Sequence, residues 1–254
     1  MLSLIHGGRF LSTMDIKEQI DREKLPLHIA VIMDGNGRWA QRQGKERVFG
    51  HEQGVKAVRE ITEAAAELGI QYLTLFAFST ENWKRPKEEV SALMQLLVQT
   101  IGRETKTLVK NNIRLQVIGD LTSLDATCYS ELMEAIRTTA GNTRMTLILA
   151  LSYSSRWEIV EAARQIARQA SLHQLDDQAI DDEFFSRHLT TAHYPDPELL
   201  IRTSGEFRLS NFLLWQIAYT ELYFTPKLWP DFTRNDLYEA ILDFQKRDRR
   251  FGKI

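Results

Sequence analysis

The segment His28–Ala40, HIAVIMDGNGRWA, carries an apolar run of strand type that stops abruptly at Asp34. Two glycines around Asn36 follow, then Arg38 and Trp39. A carboxylate, a flexible backbone and a guanidinium directly off a strand end suit a metal-bound phosphate. Mg²⁺ prefers oxygen ligands and keeps several waters. Gly35 and Gly37 let backbone N–H groups approach an anion, and a helix starting near Arg38 would add its positive end. A strand-to-helix turn capped by Asp34 and Asn36 explains the same residues, and this segment alone does not separate the two readings. Neither the P-loop pattern nor the dinucleotide fingerprint is present, since no Gly-Lys-Ser/Thr follows.

Outward from this strand, apolar runs alternate with helical patterns. Further strands are predicted at Gln71–Phe78, Ile113–Gly119, Met145–Tyr153 and Glu198–Arg202. Between them, Val55, Val58, Ile61, Thr62, Ala65 and Leu68 recur at three-and-four spacing, an amphipathic helix closed by Gly69. A long helix starts at Pro86 with acidic residues and ends at the paired asparagines 111 and 112, and another follows the fourth strand from Arg156. Strand–helix alternation with near-continuous apolar strands predicts one α/β domain whose central, mainly parallel sheet is flanked by helices.

In such sheets ligands sit beyond the carboxyl ends of the strands. That rule gathers Asp34, then Ser79, Asn82, Trp83 and Arg85 after the second strand, SYSSRW after the fourth and RTSGEFRLSN after the fifth. In the last stretch Arg202 and Arg208 flank a Ser-Gly turn, with Ser204 and Ser210 supplying hydroxyls. Arginine forks bind phosphate oxygens bidentately, so this loop reads as an anion site rather than a solvated turn.

The 254 residues, 43% hydrophobic and 26% charged, are enough for a sizeable core. A net charge of -2 leaves no global basic field for nucleic acid. Cys128 is the sole cysteine, so no intramolecular disulfide forms, which fits a reducing cytoplasm. No apolar run approaches the roughly 18 residues of a membrane span. Residues 1–24 read as an N-terminal extension, disordered at its start, before a domain over 25–254; Met14 is a second candidate start.

Other residues have plain readings beside functional ones. His51 suits a helix start or a core as well as a ligand. Glu221 lies in a heavily aromatic stretch, where a lone carboxylate would cost several kcal/mol and so needs a partner, a metal or a structural cation. The acidic run Asp176–Glu183 reads as a polar lead-in with Asp181 or Asp182 capping a helix, not as a metal motif.

Taken in order, HIAVIMDGNGRWA, FGHEQG, LFAFSTENWKRP, LIRTSGEFRLSNFLLWQIAYTELYFTPKLWPDF and RDRRFG resemble the cis-prenyltransferases, in particular the bacterial branch that makes undecaprenyl diphosphate. The likeness runs from about Leu27 to Gly252. It implies that Asp34 binds Mg²⁺ and is catalytic with Asn82. It also implies that Gly35, Asn36, Gly37, Arg38, Trp39, Arg47 and His51 cradle an allylic diphosphate. Ser79, Thr80, Glu81, Trp83 and Arg85 would belong to a mobile segment at the substrates. Arg202, Arg208 and Ser210 would hold isopentenyl diphosphate, and Glu221 would be a second metal carboxylate. Arg250 and Gly252 would reach a neighbouring subunit's site, which implies a homodimer. Where many relatives carry an asparagine and a glycine pair, this chain has Ser152, Ser154 and Ser155.

The implied reaction adds isopentenyl units to an allylic diphosphate, farnesyl diphosphate by resemblance, to make a long polyprenyl diphosphate for cell-wall glycan carriers. The enzyme would be cytoplasmic, touching the membrane only transiently to release its lipid. Phe76, Ala77, Phe78, Leu93 and Leu97 would wall an apolar product tunnel, where each buried isoprene contributes up to roughly 4 kcal/mol. A phosphohydrolase with Asp34 as nucleophile is the main rival, but the acid it needs two positions on is Asn36 here. A non-catalytic partner subunit is the other, yet Asp34, Asn82, Arg202, Arg208 and Glu221 are all present.

Overall fold

The apolar run that opens the sequence lies in the middle of a sheet, buried along its whole length as β1, His28–Ile32. In the computed structural model, which describes residues 15–172 and 177–249, a short helix α1 (Asn36–Arg42) and a long α2 (Arg47–Leu68) follow. Gly69 closes α2 at φ 104°, as its position after the apolar stripe predicts. The chain continues through β2 (Tyr72–Ser79), a 3₁₀ turn at Thr80–Lys84, α3 (Lys87–Lys110), β3 (Ile113–Ile118), α4 (Ala126–Thr139) and β4 (Met145–Tyr153). It ends with α5 (Ser155–Ser171), α6 (Asp182–Ser186), β5 (Leu199–Arg202), β6 (Glu221–Phe224) and α7 (Arg234–Gln245).

The strands form one sheet in the order β3-β4-β2-β1-β5-β6, and every pair is parallel. Side chains alternate along each strand, so the sheet feeds two cores. Ile29 and Val31 join the larger one with residues of α2, α3, α4 and α7, while Ala30 and Ile32 join the smaller one with Phe212 and Tyr153. Chain order reverses at β1, with β2, β4 and β3 to one side and β5 and β6 to the other. This switch point is where a parallel sheet opens a crevice at its carboxyl edge.

Three elements went unread in the sequence: α4, α7 and the edge strand β6. The last is four residues long and only half-buried, which leaves little periodicity to detect. Helix α3 buries only Met94, Ile101 and Leu108, a stripe seven residues apart, and leaves Leu93 and Leu97 half-buried against a cavity. The second half of the N-terminal extension packs on the body: Ile20 is buried in the larger core, and Gln245 donates to the carbonyls of Asp21 and Lys24. Residues 1–14 lie outside the described residues. Among those described, no helix is long and apolar enough to cross a membrane.

Candidate active site

Asp34 leaves the end of β1, and its backbone is fastened on both sides. Its N–H donates to Thr203 Oγ1 at 2.9 Å, the same hydroxyl donates to its carbonyl at 2.7 Å, and Trp229 N–H donates to that carbonyl at 3.0 Å. Gly35 follows at φ 109°, a left-handed turn that would also drive any Cβ into Leu228. Gly35, not Asp34 or Asn36, is the cap of α1, with no side-chain bond. The capping explanation of Asp34 therefore fails, and its carboxylate is free for other work.

That carboxylate lies between two arginines. Arg202 Nη2 donates to Asp34 Oδ2 at 2.9 Å, and Arg38 Nη2 stands 3.4 Å from the same oxygen. Partial burial alone would push the Asp34 carboxyl up. Hydrogen bonds from Arg202 and Ser204, with the charges of Arg202 and Arg38, outweigh it and hold the group below the usual carboxylate range. Arg202 is nearly fully buried and also donates to Ser210 Oγ at 2.7 Å and to the carbonyl of Arg208. Glu206 bridges Arg38 at 3.1 Å and Arg208 at 2.5 Å, while Glu89 bridges Arg85 at 2.9 Å and Arg47 at 3.4 Å. Guanidinium groups outnumber carboxylates here, so the site favours anions.

His51, on the second turn of α2, borders the same space. Burial chiefly, then the neighbouring Arg85 and Arg47 charges against an opposing Glu89, lowers its pKa to about 4, so the imidazole is neutral near pH 7. Its Nε2 is buried without a hydrogen-bond partner among the described residues. Helix α2 lies close beneath the start of α1 because residue 50 is glycine; a Cβ there would sit 1.9 Å from the Asn36 carbonyl oxygen. On the segment after β2, Asn82 Oδ1 accepts from Ser79 N–H at 2.9 Å in a capping box. Thr80 Oγ1 donates to Glu81. Glu81 also accepts from Asn211 at 2.9 Å, which ties this segment to the loop after β5. Trp83 rests edge-on against Phe78 and donates to Ser152 Oγ at 2.9 Å, so Ser152 anchors the segment to the end of β4.

These groups form one end of a cavity of about 690 Å³. Asp34, Asn36, His51, Ser79, Glu81, Asn82, Arg85, Arg202, Arg208 and Ser210 border it there. The remainder runs between the sheet and helices α2 and α3, past Leu75, Ala77, Phe78, Leu93, Leu97, Leu115, Leu147 and Leu149. Ala77 falls at a break in register between β2 and β4, where Phe76 pairs with Ala150 and Phe78 with Leu151. The bulge leaves Ala77 unpaired and exposed to this space.

Several expected residues lie elsewhere. Phe76 borders the cavity, but its ring stacks on Phe212 at 4.4 Å in the smaller core, on the other face of the sheet. Gly37 and Arg47 pack on each other at the rim. Trp39 faces outward, against Phe49 and with its N–H on Asp231 at 2.7 Å. Glu221 does not join Asp34 within one chain. The register sets it level with Leu199 and Ile29, roughly 15 Å down the sheet from Asp34, and it pairs with Arg247 at 2.8 Å. Within one chain, then, Glu221 stands apart from Asp34 and is held in an ion pair. Arg250 and Gly252 lie outside the described residues. The acidic run is bland as read: Asp181 caps α6, accepting from Phe184 N–H at 2.7 Å, and Asp176 is not described.

Thr203, Glu206, Glu89 and Asn211 are site residues that sequence reasoning did not single out. Glu89 had a legible signal, a carboxylate four residues after Arg85 at the start of a helix. Thr203 had none, because its clamp on Asp34 spans 169 positions.

Residues 32–252 match the family model described as putative undecaprenyl diphosphate synthase. The chain is 55% identical over 229 residues to an isoprenyl transferase of Chlorobaculum tepidum, covering 90% of this chain and 86% of that one. It is 51% identical over 233 residues to the ditrans,polycis-undecaprenyl-diphosphate synthase ((2E,6E)-farnesyl-diphosphate specific) of Vibrio cholerae, covering 92% and 93%. Among solved structures, lavandulyl diphosphate synthase from Lavandula x intermedia, in complex with dimethylallyl diphosphate, superposes with a TM-score of 0.89 at 40% identity, over 91% of this chain and all of that one. An anion-binding carboxyl edge opening into an apolar cavity, with matches that span nearly the whole chain, places this protein in the undecaprenyl diphosphate synthase family of prenyltransferases.

Proposed function

We propose that this chain extends farnesyl diphosphate with isopentenyl units to a long cis-polyprenyl diphosphate, of undecaprenyl length, for cell-wall lipid carriers. The observation that carries the reading is the cavity itself, charged at the end where Asp34 and the arginines meet and apolar over the rest. That is the shape of a site for a lipid with a diphosphate head.

Asp34 fits a magnesium ion. It is an ionised oxygen donor at the cavity's charged end, and among the described residues no cluster of three or more metal-binding side chains competes with it. One protein carboxylate, with water and phosphate oxygens, is how Mg²⁺ is commonly held. A bound ion would supply charge neutralisation on the departing diphosphate. In this reading Arg38, with Gly35, Asn36, Gly37, Arg47 and His51, would hold the oxygens of the allylic diphosphate, and Arg202, Arg208 and Ser210 those of isopentenyl diphosphate. As the allylic C–O bond breaks, its electron pair leaves with diphosphate. These fixed donors stabilise the charge without reorganising, which is the electrostatic term that usually dominates. The double bond of isopentenyl diphosphate attacks the allylic carbon, and a proton then departs. Neutral His51 and the diphosphate oxygens are the acceptors within this space.

The apolar part of the cavity would take the growing chain and keep water from the cationic centre. Two copies of the chain form the working enzyme in this reading, in the cytoplasm, with transient membrane contact at product release. The test is incorporation of radiolabelled isopentenyl diphosphate with farnesyl diphosphate, with Mg²⁺ or EDTA, and the lipid sized after its phosphates are removed. Long Mg²⁺-dependent product should appear, with Asp34→Ala lowering the rate by at least ~10²–10³. No incorporation by folded parent protein would defeat the proposal.

A further inference from the structure

The cavity wall between α2 and α3 is not uniformly apolar. Thr62 on α2 and Thr100 on α3 both border the cavity, and both hydroxyls are buried without a hydrogen-bond partner among the described residues. A buried polar atom left unpaired in a native wall calls for an explanation. One helical turn away on each side stand Arg59 and Glu104. They join the two helices by a two-point ion pair, Nε to Oε2 at 2.8 Å and Nη2 to Oε1 at 2.5 Å. Both also border the cavity, while the Arg59 side chain is 47% exposed. The pair thus spans the seam between α2 and α3 with the cavity on one side and solvent at Arg59 on the other, and Arg103 approaches Glu104 at 3.5 Å.

The other walls are built differently. Leu75 and Leu147 lie in paired central strands of the sheet and are buried in the larger core, so that side cannot yield. Helix α3 buries only its narrow stripe. The seam between α2 and α3 is thus the part of the wall able to open without breaking a strand ladder. A polyprenyl chain grows at its diphosphate end, which the Asp34–Arg202 end would hold, so each added unit pushes the apolar tail onward until a wall gives.

We propose that Arg59 and Glu104 clasp a side port of the cavity and that the strength of this clasp limits product length. The inference rests on the reading that the cavity holds the growing chain. Neither residue touches the reacting groups, so the first condensation should proceed at the parent rate when either is changed. Loosening the clasp lets the tail leave sideways while the head remains bound, and more units are then added before release.

The experiment sizes dephosphorylated products from farnesyl diphosphate and radiolabelled isopentenyl diphosphate for Arg59→Gln, Glu104→Gln and the double reversal Arg59→Glu/Glu104→Arg. Single-condensation rates and melting curves are recorded alongside. Both single variants should shift the distribution upward by one or more isoprene units at unchanged first-condensation rate, and the double reversal, which keeps an ion pair, should return it toward the parent. Should a single variant not fold, the remaining one and the double reversal still decide the matter. An unchanged distribution overturns the clasp. Ala77→Leu separates that failure from failure of the parent reading. Shorter product from Ala77→Leu beside unchanged clasp variants defeats the clasp alone, and no effect from any variant defeats both.

Discussion

Asp34 keeps its charge because two guanidinium groups outweigh the cost of partial burial, and its direction because Thr203 holds its backbone from both sides. Histidines show the opposite balance. His28 is buried in β1, with Nδ1 at 2.6 Å from the Pro195 carbonyl and Nε2 at 2.7 Å from Thr74 Oγ1. A carbonyl only accepts, so Nδ1 carries the proton and Nε2 accepts from the threonine. Burial chiefly lowers the pKa of His28 from 6.5 to about 4, against the opposing Pro195 and Glu198. Below about pH 6.5 the unfolded chain takes up a proton that the folded chain refuses, so stability falls with pH until about 4. A shift of this size corresponds to roughly 3 kcal/mol. Urea unfolding of the parent and of His28→Gln at pH 7, 5.5 and 4.5 measures it; the variant should lose less stability over that interval. Equal slopes would show that His28 is not the group responsible.

At the scale of elements, the bulge in β2 matters most. Ala77 faces the cavity by alternation from Leu73 and Leu75, and the register break leaves it unpaired and brings Phe78 to the same face beside it. Ala77→Leu adds volume there without touching the charged end. It should shorten the product while leaving the first condensation near the parent rate, and chromatography of the dephosphorylated lipids reads the outcome directly. Parent-length product would remove Ala77 from the wall. Phe76→Leu is the matched control, since its ring belongs to the Phe212 stack in the other core. That change should lower stability by about 1 kcal/mol or more through lost packing and leave product length alone.

At the scale of the molecule, the switch point around β1 brings loops from distant parts of the chain to one edge. Glu221 enters at the opposite end of its strand, so within one chain it does not stand with Asp34 beside Arg202 and Arg38. The described residues also leave β6 as a half-buried sheet edge, with Phe207 and Tyr219 exposed near it. Light scattering of the purified protein should give twice the mass of one 29.4 kDa chain. A single-chain mass at working concentrations would set aside the homodimer.

Local physics was legible in the sequence. Continuous apolar strands alternating with amphipathic helices determined a parallel α/β sheet, glycine marked the end of α2, and the strand-end rule gathered Asp34, Asn82, Arg202, Arg208 and Ser210 before any coordinates. Those signals are short-range, set by the period of side chains along a strand or helix. The tertiary structure alone decided what depends on register and long-range contact: Thr203 clamping Asp34, the bulge that brings Phe78 onto the face of Leu75, Glu221 paired with Arg247, and the Arg59–Glu104 pair across two helices. Each joins residues far apart in sequence or turns on a shift of one position in strand pairing, and a one-residue shift moves a side chain to the opposite face.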